Sequence, residues 1–352
     1  MSKEGTHSMT LVNLFDYEKI SQESLKPEIW DYFQGGSGDE VTLRENRSAF
    51  ERIKLLPRVL RNVSSINMET TVQADAISFP VIIAPTAFHG LLHPEGECAT
   101  ALAASRCKTI MVVSTFTTRS LEDVAHCTHV SPWFQVYVYR DLGLTRTLVQ
   151  RAEASGYHAI VLTVDVPRLG RRERDLRNNF TLPQGLRIAN IDETLISGRY
   201  LPEPIAITWE SVAWLRSITS LPIILKGILT PQDALLALES GANGIVVSNH
   251  GGRQLDGAIA AIDALPPICT AIAGRCEIYL DGGIRRGTDI LKALALGARA
   301  VLIGRPAIWG LAVNGAEGVQ HVLELLRTEL ALAMALAGCS NLDIIDRSLL
   351  YP

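Results

Sequence analysis

The fold class this sequence predicts is a (β/α)8 barrel, and three observations carry the prediction. Eight short apolar runs rich in β-branched residues fall at 81–84, 110–114, 133–137, 159–163, 223–226, 245–248, 278–281 and 301–303. Runs of this kind read as buried parallel strands. Helical periodicity fills most of the intervals, and alternation eight times over is the signature of a closed α/β barrel. No glycine-rich dinucleotide fingerprint opens the first unit, which makes a doubly wound open sheet the weaker alternative. A length of 352 residues suits one barrel domain with extensions. We divide it into an N-terminal extension (1–78), the barrel (79–310) and a C-terminal helical segment (311–352).

Taken in order, residues 14–33 carry helical spacing that breaks near Pro27 and stops at Gly35-Gly36. Residues 49–75 read as a small strand-rich lead-in. Between the barrel strands, helices are expected at 97–106, 121–126, 144–155, 209–217, 232–239, 258–273 and 288–296. The interval after the fourth strand breaks the beat. Residues 167–208 begin with a charged run (Arg168, Arg171, Arg172, Glu173, Arg174, Asp175, Arg177) and become turn-rich. An insertion of this length leaving a strand's carboxyl end predicts a lid over the site. The 315–336 stretch predicts a long amphipathic helix on the outside of the barrel.

Bulk properties narrow the function. A net charge of −4 without basic runs argues against a nucleic-acid partner. Six cysteines show no CxxC pair or dense framework, so they read as reduced thiols of a cytoplasmic protein. Residues 1–9 lack the apolar core of a signal peptide, no run is long enough for a membrane span, and Leu349-Leu350-Tyr351-Pro352 is not a peroxisomal tripeptide.

The strand ends carry the chemistry. The sixth runs into Ser248-Asn249-His250-Gly251-Gly252-Arg253-Gln254-Leu255-Asp256-Gly257. There a proton-exchanging imidazole and a guanidinium able to grip a carboxylate share a glycine-rich turn. The first end offers Ala84-Pro85-Thr86, the second Ser114, the third Gln135 and Tyr137, and the fourth Thr163 and Asp165 followed by Arg172. Each has a plainer explanation: Ser114 as a helix cap, Tyr137 as core, Asp165 as a partner of Arg172. Polar groups at eight strand ends are harder to assign to folding, because they destabilise unless paired. The seventh and eighth ends, Asp281-Gly282-Gly283-Ile284-Arg285-Arg286-Gly287 and Gly304-Arg305-Pro306, read as a phosphate cradle, with Arg286 the weaker member. Lys226 at the fifth end has two readings: a Schiff-base amine, or a fixed charge against a cofactor ring. The adjacent cradle favours the second and suggests a mononucleotide.

These motifs bring a family into view. With Asp31-Tyr32, His93-Pro94-Glu95-Gly96-Glu97, Trp133-Phe134-Gln135, Leu162 to Pro167, Leu225-Lys226-Gly227 and the Ser248–Asp256 block, the chain resembles the FMN-dependent L-2-hydroxy acid oxidases and dehydrogenases over nearly its whole length. Leu186 to Asn190 and Asp256 to Ile259 look most like its bacterial lactate oxidase-type members. The resemblance implies FMN, a small 2-hydroxy acid and O2 as partners, no metal, no membrane, and a homo-oligomer (tetramer or octamer). It implies His250 as catalytic base, with Asp165 stabilising its imidazolium. Arg253 and Tyr32 would bind the substrate carboxylate, Tyr137 its hydroxyl or carboxylate, and Arg172 would be a second contact from the lid. Ala84, Pro85 and Thr86, with Ser114, Gln135, Thr163, Lys226 and Ser248, would hold the isoalloxazine and ribityl. Asp281, Gly283, Arg285, Gly304 and Arg305 would hold ribityl and phosphate. Phe116 departs from the Trp of many glycolate oxidases, the 190–208 part of the lid looks short, and Ala87 leans towards reaction with oxygen. The expected activity is oxidation of an (S)-2-hydroxy acid, L-lactate first, with release of hydrogen peroxide. A dehydrogenase passing electrons to a quinone or protein, or a bulkier long-chain or mandelate-type acid, is the alternative. A Schiff-base aldolase, a flavin isomerase or a flavin scaffold without turnover are weaker rivals.

Overall fold

The computed structural model describes residues 10–192 and 207–351. Helix α1 (Leu14–Ser24) starts at Asn13, whose side chain accepts from the Phe15 and Asp16 amides, and α2 (Pro27–Gln34) starts at Pro27, which has no amide to leave unpaired. The predicted break at Pro27 is therefore real. The strand-rich lead-in expected at 49–75 is corrected in its first part: residues 49–52 are the end of α3 (Val41–Arg52). Its buried stripe is Thr42, Asn46, Ala49 and Phe50. Two of those four are polar, so no apolar 3.6-residue period marks the helix. The remainder holds one antiparallel hairpin, β1 (Thr70–Val72) with β2 (Asp75–Ile77). Val72 and Ile77 join the barrel's inner cluster and plug its amino-terminal mouth.

Eight parallel strands follow: β3 (Val81–Ile83), β4 (Val112–Val113), β5 (Trp133–Val136), β6 (Ala159–Thr163), β7 (Ile223–Ile228), β8 (Gly244–Val247), β9 (Glu277–Asp281) and β10 (Ala300–Ile303). Each pairs with its sequence neighbour, β10 pairs with β3, and a parallel bridge between Ile83 and Met111 closes the ring. Side chains alternate inward and outward, as strand geometry requires. Inward-facing Val112, Trp133, Val161, Ile224, Val246 and Tyr279 fill the barrel. Two residues further along each strand path stand Ser114, Gln135, Thr163, Lys226, Ser248 and Asp281, all buried. The same period that packs the barrel thus delivers a ring of polar groups to its carboxyl-terminal mouth.

The crossover helices are α4 (Glu97–Arg106), α5 (Leu121–His126), α6 (Leu142–Ala154), then, beyond α7 (Glu173–Arg177) in the insertion, α8 (Trp209–Ile218), α9 (Pro231–Glu239), α10 (Ala261–Ile272) and α11 (Gly287–Ala295). Helix α12 (Arg305–Ala337) is interrupted at Asn314 and Gly315, where His93 Nε2 would lie 2.8 Å from any Cβ on Gly315. Its first part is the crossover after β10; its second part is the expected outer helix, packed on α1 and α4. Of the lid predicted at 167–208, residues 193–206 lie outside the described residues, as do residues 1–9. The six cysteines are free thiols, with Cys107 and Cys339 buried. Among the described residues no helix is long and apolar enough to cross a membrane.

Candidate active site

The carboxyl-terminal mouth opens into a cavity of about 1360 Å³. Tyr32, Phe116, Tyr137, Asp165, Arg172, His250 and Arg253 line it, as do Ala84, Pro85, Thr86, Ser114, Gln135, Thr163, Lys226, Ser248, Asp281, Gly283, Arg285, Gly304 and Arg305. Every residue nominated from the sequence except Arg286 therefore reaches one cavity. Seven Arg or Lys side chains line it against two carboxylates, Asp165 and Asp281. This end of the molecule is built for anions.

His250 sits at φ 58°, in the left-handed region, directly after β8. Its Nδ1 lies 3.0 Å from Asp165 Oδ1 at the end of β6, and its amide donates to Ser248 Oγ at 3.0 Å. Burial pushes the imidazole below its usual range, and the charges of Lys226 and Arg172 push the same way, outweighing the pull of Asp165. The ring is thus neutral near pH 7, with Nδ1–H donated to Asp165 and Nε2 left as acceptor. Gly227 makes this approach possible: at φ 119° its absent Cβ would stand 2.6 Å from Asp165 Cβ. The plainer reading of Asp165 as a partner of Arg172 fails, since the buried Arg172 Nε has no hydrogen-bond partner.

Arg253 is aimed by backbone rather than by a carboxylate. Its Nη1 donates to the carbonyls of Tyr32 (2.7 Å) and Gly35 (2.8 Å), and its guanidinium lies 5.4 Å from the Tyr32 ring centroid. Arg305 donates to the carbonyls of Phe33 (3.1 Å), Gly35 (2.9 Å) and Gly251 (3.0 Å). The last carbonyls of a helix lack intrahelical partners and carry its negative dipole end. The carboxyl end of α2 uses them to hold two guanidiniums. Burial lowers Arg253 and Arg285 each to about 10 and lowers Arg305 well below its usual value. Guanidiniums remain charged in proteins, so an incoming anion relieves this stress.

Lys226 Nζ lies 2.9 Å from Asp281 Oδ2 and donates to Ser248 Oγ at 3.0 Å. Burial favours the neutral amine, but Asp281 and Asp165 outweigh it and raise the pKa. A paired ammonium is no nucleophile, so the fixed-charge reading prevails over the Schiff-base one. Ser114 caps no helix; it donates to Gln135 Oε1 at 3.3 Å, and Gln135 Nε2 donates to Thr163 Oγ1 at 3.0 Å. Tyr137 stacks on Phe116 with centroids 5.2 Å apart, and burial pushes its phenol well up, so it stays a donor. Arg285 lies 4.6 Å over the Trp309 ring. Arg286, the weaker cradle member, turns away and pairs with Glu329 at 2.7 Å.

The comparisons with known proteins agree. The FMN-dependent dehydrogenase family model matches residues 21–352. The chain belongs to the FMN-dependent dehydrogenase family. An L-lactate oxidase of a Nostoc species is 55% identical, covering 97% of this chain and 98% of the relative. Glycolate oxidase 1 of Oryza sativa is 49% identical, covering 97% and 96% respectively. A mandelate oxidase solved with (S)-4-hydroxymandelic acid superposes with a TM-score of 0.92 at 45% identity, covering 97% of this chain and 98% of that one. This dehydrogenase-family member is a flavoenzyme with FMN as its cofactor, on the barrel fold expected.

The residues present fit that cofactor. Gly282 and Gly283 sit at φ 92° and 81° beside Arg285 and Arg305, where a phosphate needs backbone donors and fixed charge. Asp281 Oδ1 is buried without a hydrogen-bond partner, an acceptor suited to a ribityl hydroxyl. Reading the sequence missed other members of the site. Gln254 Nε2 donates to the carbonyls of Asp165 (2.8 Å) and Arg168 (2.9 Å), while its Oε1 accepts from the Gly170 amide at 3.1 Å, tying the root of the insertion to β6. It stands inside the Ser248–Asp256 block, so the signal was present without a role. Asn46 and Asn249 exchange reciprocal bonds at 2.8 and 2.7 Å beneath the His250 turn. Nothing in the α3 sequence announced Asn46.

Proposed function

We propose that this enzyme oxidises an (S)-2-hydroxy acid to the 2-oxo acid and passes two electrons and two protons to O2, releasing H2O2. L-lactate is the first substrate. The observation that carries this is the His250 imidazole hydrogen-bonded to the Asp165 carboxylate in the same cationic cavity as Arg253. Arg253 receives the substrate carboxylate, with Tyr32 beside it and Arg172 as a second cation from the insertion. Tyr137, held as a phenol, donates to the hydroxyl or carboxylate. His250 Nε2 takes a proton from the substrate, and Asp165 stabilises the resulting imidazolium without itself becoming protonated. Lys226 fixes positive charge beside the ring site. Ala84–Thr86, Ser114, Gln135, Thr163 and Ser248 hold the isoalloxazine and ribityl; Asp281, Gly283, Arg285, Gly304 and Arg305 hold ribityl and phosphate. Bound FMN would accept the two electrons and return them to oxygen. Residues 1–352 act as one catalytic domain, in the cytoplasm, where free thiols such as its own six persist.

A bulkier acid is the second reading. Phe116 and Tyr137, which line the cavity with their rings stacked 5.2 Å apart, offer an apolar wall to an aromatic substituent. The mandelate oxidase likeness points the same way. We also propose a homo-oligomer, tetramer or octamer, supported by exposed Val59, Leu60, Leu332 and Leu336 near the end of α12.

Anaerobic mixing with a panel of L- and D-2-hydroxy acids, followed by air, tests the reaction and both substrate readings. Bleaching of the yellow protein by L-lactate and fast recovery with peroxide is the expected result; faster bleaching by L-mandelate establishes the second reading. Bleaching without recovery in air would overturn the oxidase assignment in favour of a quinone or protein acceptor, and no bleaching would overturn the substrate class.

A further inference from the structure

Outside the residues that line the cavity, one side chain makes three contacts on a single short segment. Arg174, on α7 of the insertion, donates from Nη1 to Asp31 Oδ1 at 3.2 Å and from Nη2 to Glu40 Oε2 at 2.6 Å. Its stem packs on Gly35, where a Cβ would stand 3.2 Å from Arg174 Cδ. Asp31 and Glu40 bracket the turn that leaves α2, and Glu40 Oε1 also accepts from the Gly36 amide at 3.0 Å. Between the two carboxylates lie the Tyr32, Phe33 and Gly35 carbonyls that hold Arg253 and Arg305. Two further residues of the insertion close the same clamp. Phe180 stacks on Tyr32 with centroids 4.6 Å apart and an interplanar angle of 17°. Asn178 Nδ2 donates to Asp31 Oδ2 at 2.8 Å.

We propose that Arg174 is a positioning residue for the reaction: by bridging Asp31 and Glu40 it fixes the turn after α2 whose carbonyls aim Arg253 at the substrate carboxylate. This rests on the carboxylate-binding role given to Arg253 above. Arg174 itself touches no reacting atom, and its pairs are only part-buried, with side-chain exposures of 33% for Arg174, 27% for Asp31 and 18% for Glu40. Exposed ion pairs of that kind contribute little to stability. Their effect is on geometry: the Tyr32, Phe33 and Gly35 carbonyls, in the last turn of α2 and just past it, must stay within hydrogen-bond reach of two guanidiniums. His250 and Asp165, just beyond β8 and β6, bond to each other, and the His250 amide bonds to Ser248 Oγ, rather than to the carbonyls at the end of α2. The clamp therefore acts on binding of the acid rather than on proton removal.

The test compares wild-type holoenzyme with Arg174→Gln and Arg174→Lys. Two quantities are read: KM and kcat for the best acid, and the Kd of 2-hydroxy-2-methylpropanoate, followed by the flavin absorbance change. That ligand has the same carboxylate and hydroxyl but no α-hydrogen, so it binds without turnover. In Arg174→Gln both KM and Kd rise about tenfold, the low end of what a charge-assisted hydrogen bond contributes, while kcat stays within about twofold and FMN content is unchanged. Arg174→Lys recovers part of the loss, because an ammonium reaches one carboxylate at a time where the guanidinium spans two. Unchanged KM and Kd in a fully flavinated Arg174→Gln would overturn the proposal, even with a lowered melting temperature, and leave Arg174 a surface ion pair. If the wild type binds no 2-hydroxy acid at all, the function proposed above fails and the clamp's role falls with it.

Discussion

His250 occupies a backbone region that non-glycine residues seldom adopt, at φ 58°, and its ring, 20% exposed, is set against a single carboxylate. Both features serve one protonation state. A base must be unprotonated to act, so kcat/KM rises with pH as the free enzyme's imidazole loses its proton and then levels. Because burial lowers that pKa, the midpoint of this acid limb falls below about 6.5, the ordinary imidazole value. A pH profile of kcat/KM checks it; a limb centred above 6.5 would mean the Asp165 charge dominates over burial. His250→Ala should keep its yellow cofactor and lose about 10²–10⁴-fold in the rate of flavin reduction, read by anaerobic stopped flow. Arg253→Lys keeps the charge but not the planar fork that donates to the Tyr32 and Gly35 carbonyls while facing the acid. Its KM should rise about tenfold to a hundredfold, and an unchanged KM would place the carboxylate elsewhere.

At the scale of elements, the glycines of the β9 turn show how packing and ligand chemistry overlap. The sequence suggests that Gly283 is small so that a phosphate can approach. In the structure a Cβ there would also lie 1.8 Å from the Asn46 carbonyl oxygen on α3, at φ 81°. Gly283→Ala must displace α3, and with it the Asn46–Asn249 exchange beneath His250. Thermal unfolding should show a loss of about 2–3 kcal/mol, the scale of overpacking combined with backbone strain. An unaltered melting temperature would show that α3 yields freely. Much of this level was legible beforehand. The barrel strands announced themselves because each inward position is apolar until its last, so the change at Ser114, Gln135, Thr163, Lys226, Ser248 and Asp281 marked the mouth. Helix α3 was hidden by polar residues on its buried stripe, and the Arg174 clamp by distance, since its partners stand 143 and 134 positions away. Charge runs declare exposure; they do not say which member is tied down.

The molecule as a whole carries a net charge of −4, yet its one large cavity concentrates seven cations against two carboxylates among the described residues. That inversion separates solubility from recognition: an acidic exterior surrounds a mouth that attracts small anions. It also sets where stability comes from. Arg285 and Arg305 are half-buried, and desolvation lowers their pKa values, so the cavity carries a standing electrostatic penalty that a phosphate dianion offsets. Binding to the folded state alone stabilises it by about 4 kcal/mol at a ligand concentration 1,000 times Kd. Deflavinated protein should accordingly melt several degrees below the holoenzyme and recover on addition of FMN. Riboflavin, with the same ring and ribityl but no phosphate, should restore a markedly smaller part at matched concentration. The gap between the two ligands isolates the cradle of Gly282, Gly283, Arg285 and Arg305 from the ring contacts lower in the barrel. Equal melting temperatures with riboflavin and FMN would show that those arginines hold backbone carbonyls and the Trp309 face only, and that the phosphate lies outside the cradle.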